Sequence, residues 1–193
     1  MPISAGRCRE ASLFGSCRAA LLLGLAGMFA GTAAGTDMIA DRAPRSLPAD
    51  PIDARFEIGT AAVLLDGGVA EAPAAPGSAM KVRTQVFGGP VFGDLDGDAD
   101  DDAALWLVQD PGGSGSFYYV AAAINESGGF RGTSAVLLGD RIIPRELLIE
   151  HRMVTVRFAR RRPEEPMAAT LAVETVRRFT LAYDRLVPAA GPP

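Results

Sequence analysis

Between Arg55 and Leu186 the chain is interrupted every few residues by Gly, Pro or Asp, and the pieces left between are short and rich in Val, Ile, Leu, Phe and Tyr. Amphipathic helices need about ten or more residues of uninterrupted 3.6-residue periodicity, whereas a strand is complete in four to eight. Strands are therefore expected near Ala61 to Leu65, Met80 to Phe87, Ala103 to Val108, Phe117 to Asn125, Thr133 to Leu138, Glu146 to Ile149, Met153 to Phe158 and Ala172 to Leu181. The pairs Gly67-Gly68 and Gly128-Gly129 fall where hairpins would turn. Met153 to Phe158 and Thr175 to Leu181 alternate in part, as strands with one wet face do, while Ala103 to Val108 is apolar throughout, as in a strand covered on both faces. The expected fold is mainly β, a single-domain antiparallel β-sandwich or partly closed barrel, with an α+β fold around one antiparallel sheet as the alternative.

The segments outside these limits have other compositions. Residues 1–35 carry a basic stretch with Arg7, Arg9 and Arg18, an apolar run from Ala19 to Ala30, and small residues through Gly35. This is the three-part pattern of a secretory signal peptide, cleaved near Ala34 or Gly35. The run is broken by Gly24, Gly27 and Gly31 and falls short of the roughly 20 apolar residues that a spanning helix needs, so no transmembrane span is expected after cleavage. Export implies a periplasmic or secreted protein. Both cysteines, Cys8 and Cys17, lie in the removed segment, which leaves no disulfide and no thiol. Residues 36–54, with Pro44, Pro48 and Pro51, read as a flexible leader, 55–186 as a β-rich domain, and 187–193 as a flexible tail.

The formal charge of the whole chain is −4, and loss of three arginines with Glu10 makes it two units more negative. The six aspartates between Asp94 and Asp102 account for that entire excess, and the remainder is formally neutral. No basic face for nucleic acid or for an anionic membrane is present.

The acidity is concentrated in Gly93-Asp94-Leu95-Asp96-Gly97-Asp98-Ala99-Asp100-Asp101-Asp102. Counted from Asp94, carboxylates occupy the first, third, fifth and ninth positions, and Asp100 offers a backbone carbonyl at the seventh. Ca2+ takes six to eight hard oxygen ligands at flexible geometry, and alternating aspartates on a tight loop supply them. Asp94, Asp96, Asp98 and Asp102 are thus the candidate side-chain ligands, with Asp100 contributing its carbonyl. The ion's role would be structural, because its ligands share one loop and no nucleophile or base adjoins them. An EF-hand is excluded, since its twelfth position would be Leu105. A solvated acidic turn is the competing reading, but like charges so close repel one another unless a cation neutralises them. Ala99 stands at the sixth position, where the backbone turns through positive φ, at a cost of about 1 kcal/mol for alanine.

The loop resembles the calcium loop of integrin-type FG-GAP blades, in which Asp-x-Asp-x-Asp-Gly-x-x-Asp joins two strands. With Gly112-Gly113-Ser114-Gly115-Ser116-Phe117-Tyr118-Tyr119, Leu138-Gly139-Asp140-Arg141-Ile142 and the segment from Arg162 to Met167, the order of motifs resembles a family of uncharacterised exported bacterial proteins and lipoproteins. That resemblance covers roughly residues 60–182 and implies export and a compact β-rich domain, without implying a substrate. It departs at Ala99, where relatives have glycine. One copy of the loop cannot build a propeller of about four or more blades.

Catalytic patterns are incomplete. Gly112 to Ser116 lacks the Gly-Lys-Ser/Thr ending of a phosphate loop and the last glycine of a nucleophile elbow. His151, the single histidine, sits at an expected hairpin turn. Ser114, Tyr118, Asp140 and Arg141 form the best candidate ligand surface: the guanidinium could take a carboxylate, or the Asp-Arg pair could fix a turn. The function expected is that of an exported non-enzymatic β-domain, stabilised by Ca2+, that binds an envelope protein or a small ligand. The alternatives are a periplasmic hydrolase using carboxylates such as Asp110 or Asp140, and an envelope inhibitor or structural module.

Overall fold

The computed structural model describes residues 46–162, 164, 166 and 173–189. The signal peptide expected over 1–35, the leader up to residue 45, Ala172 and the tail from residue 190 lie outside them.

The described chain enters through a 3-10 turn, Pro51–Asp53, whose cap is Asp50; its Oδ1 accepts from the Ile52 N–H at 3.1 Å. Proline suits the first helical position because the N–H it lacks would have had no partner there. Strands make up the other elements among the described residues. β1 (Arg55–Ile58) and β2 (Ala61–Leu64) make a hairpin. β3 (Val69–Pro73), β4 (Lys81–Gly93), β5 (Asp102–Asp110), β6 (Phe117–Glu126), β7 (Gly129–Gly132) and β8 (Val136–Asp140) build the central sheet. β9 (Ile143–Glu150), β10 (Met153–Arg160), β11 (Val173–Ala182) and β12 (Arg185–Pro188) build a second one.

The central sheet runs β3-β4-β5-β6-β7, with β8 continuing where β7 leaves β6, and the second runs β12-β11-β10-β9; all these pairs are antiparallel. Neither closes on itself, so the fold is mainly β, an open sandwich and not a barrel. Between β7 and β8, Thr133 still donates to the Ala122 carbonyl at 2.9 Å, while Ser134 bridges in parallel to Glu57 and Arg185. This short segment ties the central sheet to β1 and β12.

β5 is buried from Asp102 to Val108, and its alternate side chains serve two cores. Ala104 and Trp106, with Val120, Ala122 and Ile124 of β6, pack against Leu147, Val154, Val156, Phe158, Phe179 and Leu186 of the second sheet. Ala103, Leu105 and Leu107, with Ala121 and Ala123, pack on the opposite face against Ala54, Phe56 and Ile58. The unbroken apolar run of β5 follows from this double burial.

Among the described residues twelve strands stand where eight were expected. Of those missed, β1 and β12 adjoin the stretches expected to be leader and tail, β3 is Val-Ala-Glu-Ala-Pro and β7 is Gly-Phe-Arg-Gly, compositions that read as turn or loop. β4 also continues past Phe87 through a bulge at Gly88-Gly89-Pro90. The expected leader and tail are structured where described. Pro51 and Ala54 are buried, and Asp53 Oδ1 accepts from the Gly67 N–H at 2.6 Å. Val187 and Pro188 belong to β12.

Candidate functional site

The acidic loop joins β4 to β5, and its ends, Gly93 and Asp102, are partners in the strand register. Its backbone is turned by its own carboxylates. Asp94 Oδ1 accepts from the Gly97 N–H at 2.5 Å, Asp96 Oδ1 from the Asp98 N–H at 3.1 Å, and Asp98 Oδ1 from the Asp100 N–H at 2.8 Å. Aspartate is suited to such turns because its short side chain can bond the backbone two or three residues on. The turn also takes Gly97 to φ 94° and Ala99 to φ 74°, so the alanine does occupy the left-handed region.

Carboxylate oxygens of Asp94, Asp96 and Asp102 converge to within 4.8 Å of one another. Asp94 is half-buried, Asp96 is exposed and Asp102 has no exposed surface. Asp98 and Asp100 are outside this trio; both are exposed, and the Asp98 carboxylate is turned toward the Asp100 N–H. Asp102 begins β5, and its two oxygens accept from the Leu95 N–H at 2.8 Å and the Asn125 N–H at 2.9 Å. Burial pushes its pKa above the ordinary 3.8; those two N–H groups pull it back, and the Asp96 charge pushes it further up. Asp94 and Asp96 each commit one oxygen to a backbone N–H and leave the other for a cation. An all-oxygen, mostly anionic donor set suits Ca2+, with the remaining ligands left to backbone carbonyls and water.

Arg152, at the turn between β9 and β10, reaches this loop and donates to the Asp96 carbonyl. A side chain at Gly97 would meet the Arg152 guanidinium, and φ there is positive, so two constraints favour glycine. Sequence spacing contains no sign of this contact, which spans 56 residues.

At the opposite end of β5, the glycine-rich turn is fastened to the end of β8. Asp140 Oδ1 accepts from the Ser116 N–H at 2.9 Å, the Arg141 N–H donates to the Ser116 carbonyl at 2.8 Å, and the Arg141 guanidinium donates to the Ser114 carbonyl. Asp140 and Arg141 also approach at 3.6 Å. These groups therefore hold the turn together. Tyr118 is half-buried against the inner core, edge-on to Phe87 with ring centroids 6.1 Å apart. Asp110, the other carboxylate considered for catalysis, accepts from the Gly112 N–H at 2.8 Å. His151 lies in the β9–β10 turn.

A groove that sequence reasoning missed opens beside β1 and β7. It has a volume of about 560 Å³ and is walled by Leu47, Leu64 and Phe130, with Arg55, Glu57 and Arg131 among its charged groups. Arg131 is fixed by Glu126 and Asp184, each at 2.8 Å. Gly132 lets β1 come close, since a Cβ there would collide with the Arg55 carbonyl. The order Arg55-Phe56-Glu57-Ile58 alternates exposed and buried, which would have placed Arg55 and Glu57 on one outward face had β1 been recognised.

Comparison of the chain with family models, with curated proteins and with solved structures gives no match.

Proposed function

We propose that the protein is an exported, non-enzymatic β-sandwich module that binds a protein or small ligand in the cell envelope, with a Ca2+ ion bracing its β4–β5 loop. The observation that carries the calcium part is the convergence of Asp94, Asp96 and Asp102 on a loop that already turns through its own aspartates. When bound, the ion supplies charge neutralisation. Asp94 and Asp96 provide oxygens from the loop, and Asp102 provides them from the start of β5, so the ion would tie the loop to the central sheet. Asp98 and Asp100 act in this reading as turn formers, with the Asp100 carbonyl as an additional donor. The binding role is supported by the commitment of Asp110 and Asp140 to backbone N–H groups in turns and by the presence of an open groove.

Thermal melting in millimolar Ca2+ and in chelator tests the calcium part. An ion that binds only the folded chain stabilises it by RT ln(1 + [L]/Kd), about 1.4 kcal/mol at ten times Kd. Wild type should gain this, and Asp96→Ala should lose most of it. Identical melting of the two proteins in both conditions would leave the loop a solvated acidic turn. Amino-terminal sequencing of the exported chain should begin near Gly35 or Thr36, and an intact Met1 on that material would remove the export reading.

A further inference from the structure

The groove beside β1 and β7 carries an unused pair of opposite charges. Arg55 and Glu57 are both exposed on the outward face of β1. Arg55 has no ion-pair or hydrogen-bond partner among the described residues for its guanidinium, whereas Arg131 is already committed to two carboxylates. Among the described residues the Glu57 carboxylate accepts a hydroxyl, from Ser134 at 2.9 Å to Oε2, and no cation pairs with it. Leu47 and Leu64 are 40% and 45% exposed, and they stand with Phe130 around the same space.

We propose that this groove binds a short apolar peptide with free termini, its carboxylate on Arg55, its ammonium on Glu57 and its side chains against Leu47, Leu64 and Phe130. The spacing of the two strand positions suits a short peptide. Residues two apart on one strand face are separated by about 6.6 Å. An extended peptide of two residues spans at most about 7 Å, which brings its two terminal charges to the two side chains at once. The volume of about 560 Å³ lies in the range of small-ligand sites, where a few polar groups orient a mainly apolar body. Guanidinium and carboxylate form a forked, charge-assisted pair, which gives Arg55 the orienting role.

This inference rests on the binding-module reading and is independent of the loop cation, since the groove contains none of the acidic-loop residues. The test uses the full chain, the dipeptide Leu-Leu as probe, and titration calorimetry in chelator, so that calcium plays no part. Leu-Leu should bind, N-acetyl-Leu-Leu-amide should bind at least tenfold more weakly, and Arg55→Gln and Glu57→Gln should each weaken Leu-Leu about tenfold. Both side chains are exposed, so near-ultraviolet circular dichroism of the variants should match wild type, and Leu64→Asp provides a third, apolar arm that should also weaken binding. Absence of Leu-Leu binding at 10 mM, equal binding of the blocked dipeptide, or insensitivity to both charge variants would overturn the proposal. Those results would leave the calcium response untouched, so the two readings fail separately.

Discussion

Asp102→Asn preserves the shape of a fully buried side chain and removes its charge, which sets two effects against each other. Burial of the carboxylate, and the Asp96 charge beside it, raise its pKa, so the charged form carries a cost that asparagine avoids. Against this, each carboxylate oxygen accepts one backbone N–H, from Leu95 and from Asn125, and an amide has only one acceptor oxygen. One N–H would then face an NH2 group. A hydrogen bond to a charged acceptor contributes about 1.5–3 kcal/mol, and a buried donor left unpaired costs about 1–3 kcal/mol. The hydrogen-bond loss outweighs the recovered charge cost, and a net destabilisation of about 1–2 kcal/mol is expected in chelator at neutral pH, or roughly 5 °C in Tm for a domain of this size. The pH dependence has a definite sign. A folded-state pKa above 3.8 means that the folded chain holds this proton more tightly than the unfolded one. Wild-type stability from this group is therefore fully present below about pH 3.8 and is lost as pH rises through the folded value. The gap between wild type and variant should be widest in acid, narrow toward neutrality, and widen again at neutral pH when Ca2+ is added. Urea denaturation across pH measures it. A variant as stable as wild type in chelator at pH 7 would refute the ordering of the two effects.

Thr133→Val keeps a branched side chain but removes the hydroxyl oxygen that accepts from the buried Ala122 N–H at 3.0 Å; the unfolding free energy from urea denaturation should fall by about 1–3 kcal/mol with an unchanged m-value. Arg152→Ala removes a donor from the Asp96 carbonyl at an exposed site, so global stability should fall by less than about 1 kcal/mol while amide exchange quickens from Asp94 to Asp101. Ala99→Gly relieves a backbone at φ 74° but adds unfolded-state entropy, and the balance should be a gain of up to about 0.5 kcal/mol with a tighter calcium response. A loss of stability would mean that the unfolded-state entropy outweighs the left-handed cost at Ala99.

What could be read from the sequence was local. The apolar run of Ala103 to Val108 indicated a doubly covered strand because both side-chain sets are apolar, and β5 is buried on both faces. β10 and β11 were legible because alternation survives over most of their length. β1, β3, β7 and β12 were not, because β1 and β12 border the Pro-containing ends and β3 and β7 carry Pro or Gly, whereas β2, as short, is Ala-Ala-Val-Leu. In the acidic loop, aspartate spacing drew attention to Asp94, Asp96 and Asp102, yet it equally nominated Asp98, whose carboxylate lies outside that trio. Asp102 is set apart by a long-range contact: it is held by Asn125, 23 residues away, and such a contact has no local signature. The groove was illegible for the same reason, since it gathers residues from 47, 55–57, 64 and 130–131.

Six aspartates in nine positions raise an electrostatic problem that the fold answers only in part. Solvent takes up Asp98, Asp100 and Asp101, which are exposed and lie in high dielectric where repulsion is weak. Backbone N–H groups take up one oxygen each of Asp94 and Asp96 and both oxygens of Asp102. Arg152 brings one positive charge over the turn, but it bonds the Asp96 carbonyl and not a carboxylate. What is left is a group of three carboxylates within 4.8 Å, one of them buried and already pushed toward protonation. N–H dipoles lower that cost without cancelling the charge, whereas a divalent cation cancels most of it at once. The loop should therefore respond to Ca2+ most strongly at pH values where Asp102 is ionised, and the response should fade in acid as protons take the ion's place. A calcium-induced rise in Tm that persisted unchanged to pH 3 would place the ion somewhere other than these carboxylates.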